Sequence, residues 1–109
     1  MVVSVTVLYP NDADAKYDIE YYKTTHMGLM NKHFSKAGLI SWSVTTYTPG
    51  PDGSASPFAF SSSSTWRSTE DFKAAFQGEA LKEILADVPN FNFANKQSTF
   101  LFGEISGST

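Results

Sequence analysis

Residues 17–33, YDIEYYKTTHMGLMNKH, restrict the fold more than any other stretch of this chain. Counted from Ile19, the residues Ile19, Tyr22, His26, Leu29, Met30 and His33 recur with the 3.6-residue period of one helical face. Glu20, Lys23, Thr24, Asn31 and Lys32 point elsewhere. Asp18 stands at the N-cap, with Tyr21 at the third helical position. Gly28 lies inside the helix at a cost of about 1 kcal/mol against alanine, which predicts a close approach or a bend. Gly38 is expected as the residue that stops the helix. Both histidines of the chain sit on this one helix.

Strand patterns flank the helix. Val3, Val5, Val7 and Tyr9 alternate with Val2, Ser4, Thr6 and Leu8, and both sets are fairly apolar, so this strand belongs in the middle of a sheet. Pro10 ends it. Residues 39–48, LISWSVTTYT, form a second strand, with Ile40, Trp42, Val44 and Thr46 on one face. The loop PGPDGSASP, residues 49–57, leads into a third strand, FAFSSSSTW, residues 58–66. Ser68 to Asp71 form a capping box for a second helix. Gly78 interrupts that helix, and it resumes over 79–87 with Leu81, Ile84, Leu85 and Val88 facing inward. Pro89 and Asn90 end it. Phe91 to Asn95 connect to a last strand over 96–105, and 106–109 are a polar tail. The order is β-α-β-β-α-β in a single domain, 1–109. It predicts an α+β, ferredoxin-like antiparallel four-stranded sheet with both helices on one face. The other sheet face needs a cover that 109 residues do not supply. The apolar residues on both sides of the first strand therefore argue for a homodimer, two sheets packed face to face as a dimeric α+β barrel.

A net charge of −3 without a basic run argues against nucleic acid as a partner. No run approaches the roughly 20 apolar residues of a membrane span, and MVVSVTVLYP lacks the basic start of a signal peptide. The chain has no cysteine, which excludes thiolate chemistry and fits a reducing, cytoplasmic setting. With nine phenylalanines and few charges, part of the surface should meet a partner or enclose a ligand.

Tyr9-Pro10, Tyr17-Asp18, Tyr21-Tyr22, His26 and Leu29, followed by Asp87-Val88-Pro89-Asn90-Phe91, resemble the EthD family of the dimeric α+β barrel group. After the histidine that family usually carries a hydrophobic residue, then Pro, then Leu; here the run is Met27-Gly28-Leu29, so the fixed φ of proline is lost beside His26. The resemblance implies a ligand site between each sheet and its helices. It also implies chemistry drawn from the group's range: cofactor-free monooxygenation, lactone isomerisation, polyketide cyclisation, dehydration or decarboxylation.

His26, in the middle of the stripe, is the first catalytic candidate, as general acid or base. The alternative is a core histidine satisfied by a strand carbonyl or a tyrosine hydroxyl. Tyr22, one turn earlier on the same face, is the second candidate; otherwise it is aromatic packing. His33 is two turns from His26, about 10 Å at 1.5 Å per residue, too far to share a metal. It is read as a helix-end residue with a lesser claim to the pocket. Tyr9, Tyr21, Leu29, Met30, Trp42, Trp66 and Phe91 are candidate substrate-binding residues. Trp42 and Trp66 are expected to face each other across neighbouring strands. No metal site, cofactor fingerprint or serine elbow is present, so no cofactor is expected. The leading function is cofactor-independent acid/base chemistry (dehydration, decarboxylation, cyclisation or isomerisation) on a hydrophobic or aromatic metabolite, polyketide-like or from ether degradation. The competing one is a non-catalytic homodimer that binds a hydrophobic small molecule or assists a partner enzyme. No acidic residue shares the His26 stripe to orient its ring, which favours the second.

Overall fold

β1 (Val3–Pro10) is the strand around which the sheet is built. It pairs antiparallel with β3 (Phe58–Trp66) on one side and with β4 (Thr99–Glu104) on the other, while β2 (Leu39–Thr46) pairs antiparallel with β3. The sheet order is β2-β3-β1-β4, so β1 is an inner strand, as its two-sided pattern predicts. The computed structural model describes residues 2–108; Met1 and Thr109, the last residue of the expected tail, lie outside the described residues. Between β1 and β2 run α1 (Ile19–Tyr21), a π turn (Tyr22–His26) and α2 (Met27–Phe34). Between β3 and β4 run α3 (Thr69–Ala75), α4 (Glu79–Ala86) and a 3₁₀ turn (Val88–Asn90). This is an α+β, ferredoxin-like fold.

Register fixes the two sheet faces. Val3, Val5 and Val7 pair with Trp66, Ser64 and Ser62, and Tyr9 pairs with Phe60. Both helical layers pack on this face. Tyr22 meets Phe60 edge-on at 4.8 Å, and Trp66 sits among Phe34, Phe72 and Phe76 at 5.6, 5.3 and 6.2 Å. Burial of these rings is the main source of the core's stability.

The opposite face differs from expectation. It presents Ser4, Thr6, Ser61, Ser63, Thr65, Ser41, Ser43 and Thr45, with hydroxyl pairs at Thr6–Ser63 (3.3 Å) and Tyr47–Ser61 (2.8 Å). β1 brings Leu8 to this face and β4 brings Leu101, but β2 and β3 make it largely a carpet of hydroxyls. Strand alternation divides the four serines 61–64, sending Ser62 and Ser64 to the helix face and Ser61 and Ser63 to the other. Nor are Trp42 and Trp66 cross-strand partners. Trp42 lies opposite Ser64, and Trp66 opposite Leu39, with a register shift between Leu39 and Ser41.

Element ends follow local hydrogen bonding. Asp18 caps α1 by accepting from the Tyr21 N–H at 3.0 Å, and Ser68 caps α3 by accepting from the Asp71 N–H at 3.1 Å. Gly78 separates α3 from α4, where the sequence breaks. β4 begins at Thr99 and not at residue 96. The Lys96 N–H donates instead to Asn92 Oδ1 at 3.0 Å, and its ammonium pairs with Asp14 (2.5 Å) and Asp12 (3.3 Å). Leu85, expected inward, is 59% exposed.

α2 ends at Phe34, four residues before Gly38, so Gly38 is not the residue that stops the helix. It serves the turn into β2 with φ of +120°, and a Cβ there would lie 2.5 Å from that of Asp71. Gly38→Ala is expected to destabilise the domain by about 2–4 kcal/mol, because strain at a left-handed φ adds to a backbone-fixed clash. Urea unfolding measures it, and a change below 1 kcal/mol would contradict the tight packing of this turn against α3.

Candidate functional site

The π turn explains where the long helix aims its side chains. The Met27 N–H reaches the Tyr22 carbonyl, so this turn holds one residue more than an α-turn. Every position after it is advanced by one. The buried residues are Tyr22, His26, Met27, Met30 and Phe34, in place of a stripe ending in Leu29, Met30 and His33. Gly28 makes no close approach: a Cβ there would meet nothing within 4 Å. Wide turns of this kind recur at functional sites because they re-aim side chains without breaking the helix.

The two buried rings of the turn, Tyr22 and His26, stack with centroids 5.1 Å apart and planes at 21°. Phe91 abuts His26 edge-on at 4.6 Å and Tyr22 at 4.7 Å. Tyr22 and His26 form one wall of a cavity of about 160 Å³ between sheet and helices. Val7, Met27, Met30, Phe76, Ile84 and Phe100 supply much of its apolar lining; Tyr9, Tyr22, His26, Ser62, Asn92 and Lys96 supply polar groups.

His26 Nδ1 lies 2.9 Å from Asp87 Oδ2, and both side chains are buried. The Asp87 carboxylate also accepts from the Tyr21 hydroxyl at 2.5 Å and from Asn90 Nδ2 at 3.0 Å. Burial pushes the Asp87 pKa up, but the bonds from Tyr21, Asn90 and His26 outweigh it and hold the group below the ordinary carboxylate value. Asp87 is thus an anion that accepts the proton on Nδ1. Burial lowers the His26 pKa below 6.5, against the opposing pull of Asp87, so the ring is neutral at pH 7. Its Nε2 makes no hydrogen bond among the described residues. No fully buried side-chain nitrogen or oxygen among them lacks a partner, so Nε2 is reached from the cavity. A neutral imidazole, fixed by a carboxylate on one nitrogen and open on the other, can take a proton from a bound molecule and return it.

Four of the sequence candidates, Tyr9, Tyr22, His26 and Met30, line the cavity together. Tyr21 and Phe91 stand behind it, one holding Asp87 and the other packed on the His26 ring. Leu29, His33, Trp42 and Trp66 do not line it. His33 is carried past the stripe by the extra residue of the π turn, and its Nε2 meets Glu83 at 2.7 Å on the surface. Trp66 is wholly buried in the core. Sequence reasoning missed Asp87 as the orienting acid. Its signal was the segment Asp87-Val88-Pro89-Asn90-Phe91, which carries the resemblance and delivers Asp87, Asn90 and Phe91 to the same histidine. Among the described residues, no three His, Cys, Asp or Glu side chains are grouped to hold a metal ion, and no helix is long and apolar enough to cross a membrane.

The electrostatics set a pH dependence. The unfolded chain takes up a proton at His26 near 6.5, which the folded chain resists, so stability falls as pH drops through that value. Asp87 acts in the same direction at lower pH, since its contribution is present above the ordinary carboxylate pKa and lost beneath it. Thermal unfolding from pH 8 to 5 should show the melting temperature falling in the wild type and a flatter profile in His26→Gln. Equal slopes would contradict the burial of a neutral ring.

Sheet, helices and cavity together define a ferredoxin-like α+β domain with an enclosed polar dyad. Within that class the fold is EthD-like. An EthD-like protein from Ralstonia eutropha JMP134 superposes with a TM-score of 0.89 at 23% identity, over 99% of this chain and 95% of that one. An ethyl tert-butyl ether D (EthD) family protein from Bacillus halodurans C-125 gives 0.71 at 25% identity, over 95% and 98%. A hydroxynitrile lyase from Passiflora edulis gives 0.67 at 15% identity, over 99% and 96%. No family model and no curated protein matches the chain.

Proposed function

We propose that this protein is a cofactor-independent acid/base enzyme acting on a hydrophobic small molecule in the cavity between sheet and helices. His26 is the general base and then the general acid, and Asp87 is the residue that orients it. The single observation carrying this reading is the 2.9 Å contact from His26 Nδ1 to Asp87 with Nε2 turned to the cavity. It answers the objection that the His26 stripe has no acid, since the acid comes from the other helical layer. A buried histidine kept only for packing would not need an ionised carboxylate held by two further donors. Proton transfer is the step shared by dehydration, decarboxylation, cyclisation and isomerisation, and the dyad supplies it without a redox group.

The reading includes a homodimer formed through the open sheet face. In support, Leu101, paired with Thr6 on that face, is 53% exposed. The hydroxyls around Leu101 would make such an interface rich in hydrogen bonds. The test of function is solvent exchange. Ketones carrying one ring are incubated with the protein in D₂O, and loss of the proton signals beside the carbonyl is followed by NMR. Exchange faster than in buffer supports the reading; bound ketones that exchange no faster than in buffer contradict it.

A further inference from the structure

Besides the dyad, the cavity holds a second polar group, three hydroxyls on neighbouring elements. Tyr9 comes from β1, Ser62 from β3 and Tyr22 from the π turn, and all three are buried and line the cavity. Register puts them together. Val7 pairs with Ser62 and Tyr9 with Phe60, so Ser62 sits one same-face step from the strand position opposite Tyr9. The Tyr9 and Tyr22 rings meet edge-on at 5.5 Å. Tyr9, Tyr22 and Ser62 thus bring three hydroxyls to the same cavity. A phenol whose oxygen accepts from neighbouring hydroxyls keeps its own proton for a ligand. Burial raises the Tyr22 pKa above its usual 10.0, so it remains a phenol and a donor.

Charge and size narrow the ligand. Lys96 is the cationic residue in the lining, and its ammonium is already held by Asp14 and Asp12. An anion in this cavity would be desolvated without a partner. An apolar cavity of about 150 Å³ holds one benzene ring, and this one is about 160 Å³.

We propose that the substrate is an uncharged single-ring carbonyl compound whose oxygen is held by the Tyr22 hydroxyl, set in place by Tyr9 and Ser62, while His26 takes the proton from the carbon beside that carbonyl. The proposal rests on the acid/base reading above and adds the oxygen site to it. In the step, the C–H bond breaks and its proton goes to His26 Nε2. The electron pair forms a carbon–carbon double bond, and the carbonyl π pair moves onto the oxygen, where Tyr22 donates to it. Return of the proton from His26 reverses the change. Buried donors aimed at a developing oxyanion are worth most in such a water-poor site.

The probes are acetophenone, ethylbenzene as the same ring without oxygen, and benzoate as the charged analogue. Binding is read by NMR titration of the wild type, Tyr22→Phe and Ser62→Ala. Acetophenone is expected to bind the wild type, to lose about tenfold in affinity in Tyr22→Phe and about threefold in Ser62→Ala. Ethylbenzene should bind wild type and Tyr22→Phe equally, and benzoate should bind more weakly than acetophenone. Both variants keep the buried framework, since each loses only a hydroxyl. The oxygen site is overturned if acetophenone does not bind, if Tyr22→Phe binds it as tightly as the wild type, or if benzoate binds better. Exchange of the acetophenone methyl protons in D₂O separates the two claims. Tyr22-dependent binding without exchange supports the oxygen site and defeats the acid/base reading. Exchange undiminished in Tyr22→Phe defeats the oxygen site and leaves that reading standing.

Discussion

Replacing His26 with glutamine is expected to slow exchange of a bound ketone's protons by about 100- to 10,000-fold, the range for a positioned general acid or base. Glutamine keeps a polar side chain of similar reach in the space beside Asp87, so binding should change far less than rate. Asp87→Asn should cost at least about tenfold, because the carboxylate defines which ring nitrogen carries the proton. Asp87 accepts from His26, Tyr21 and Asn90, and an amide in its place turns one acceptor into a donor. The neutral ring would then be free to adopt the other tautomer, with a proton on Nε2 and no base in the cavity. A His26→Gln variant that exchanges as fast as wild type would remove the histidine from the mechanism. An Asp87→Asn variant at full rate would leave the His26–Asp87 hydrogen bond with a structural role alone.

Phe60→Ala should cost about 3–5 kcal/mol, the range for truncating a buried phenylalanine, a large share of the roughly 5–15 kcal/mol that holds a domain together. Phe60 is fully buried on the helix face of β3. Its ring stacks on Tyr9 at 4.5 Å and 7°, and meets Tyr17 and Tyr22 edge-on at 5.0 and 4.8 Å. Those contacts join the sheet to the π turn, so the cavity left by alanine opens beside the wall formed by Tyr22 and His26. Phe93, 60% exposed, is the control, with an expected change within about 0.5 kcal/mol for Phe93→Ala. Urea unfolding of both variants measures the difference. A Phe60→Ala protein within 1 kcal/mol of wild type would show that the aromatic cluster is not what seats the helix on the sheet.

What the sequence discloses divides by the range of the forces involved. The bounds of β3 at Phe58 and Trp66, the caps at Asp18 and Ser68 and the break at Gly78 were legible, because each depends on neighbours within a few residues. The inner position of β1 was legible from its alternation, though the hydroxyl face emerged only once β2 and β3 were in register. The π turn left no mark in the 3.6-residue pattern. Its one extra residue moved Phe34 into the core and put His33 on Glu83. Residues 96–98 read as strand because their composition allows it, whereas long-range pairing of Lys96 with Asp12 and Asp14 draws the chain away from β1. Asp87 is 61 residues from His26 in sequence, and periodicity within one helix cannot reveal such a partner.

The pairing of His26 with Asp87 is the centre of this account, and nitrogen-15 NMR of histidine-labelled protein tests it most directly. His26 at pH 7 is expected to be neutral, protonated on Nδ1 and unprotonated on Nε2, with a pKa below 6.5. Asp87→Asn is expected to disturb this tautomer. A ring protonated on Nε2, or one that titrates above 6.5, would contradict it.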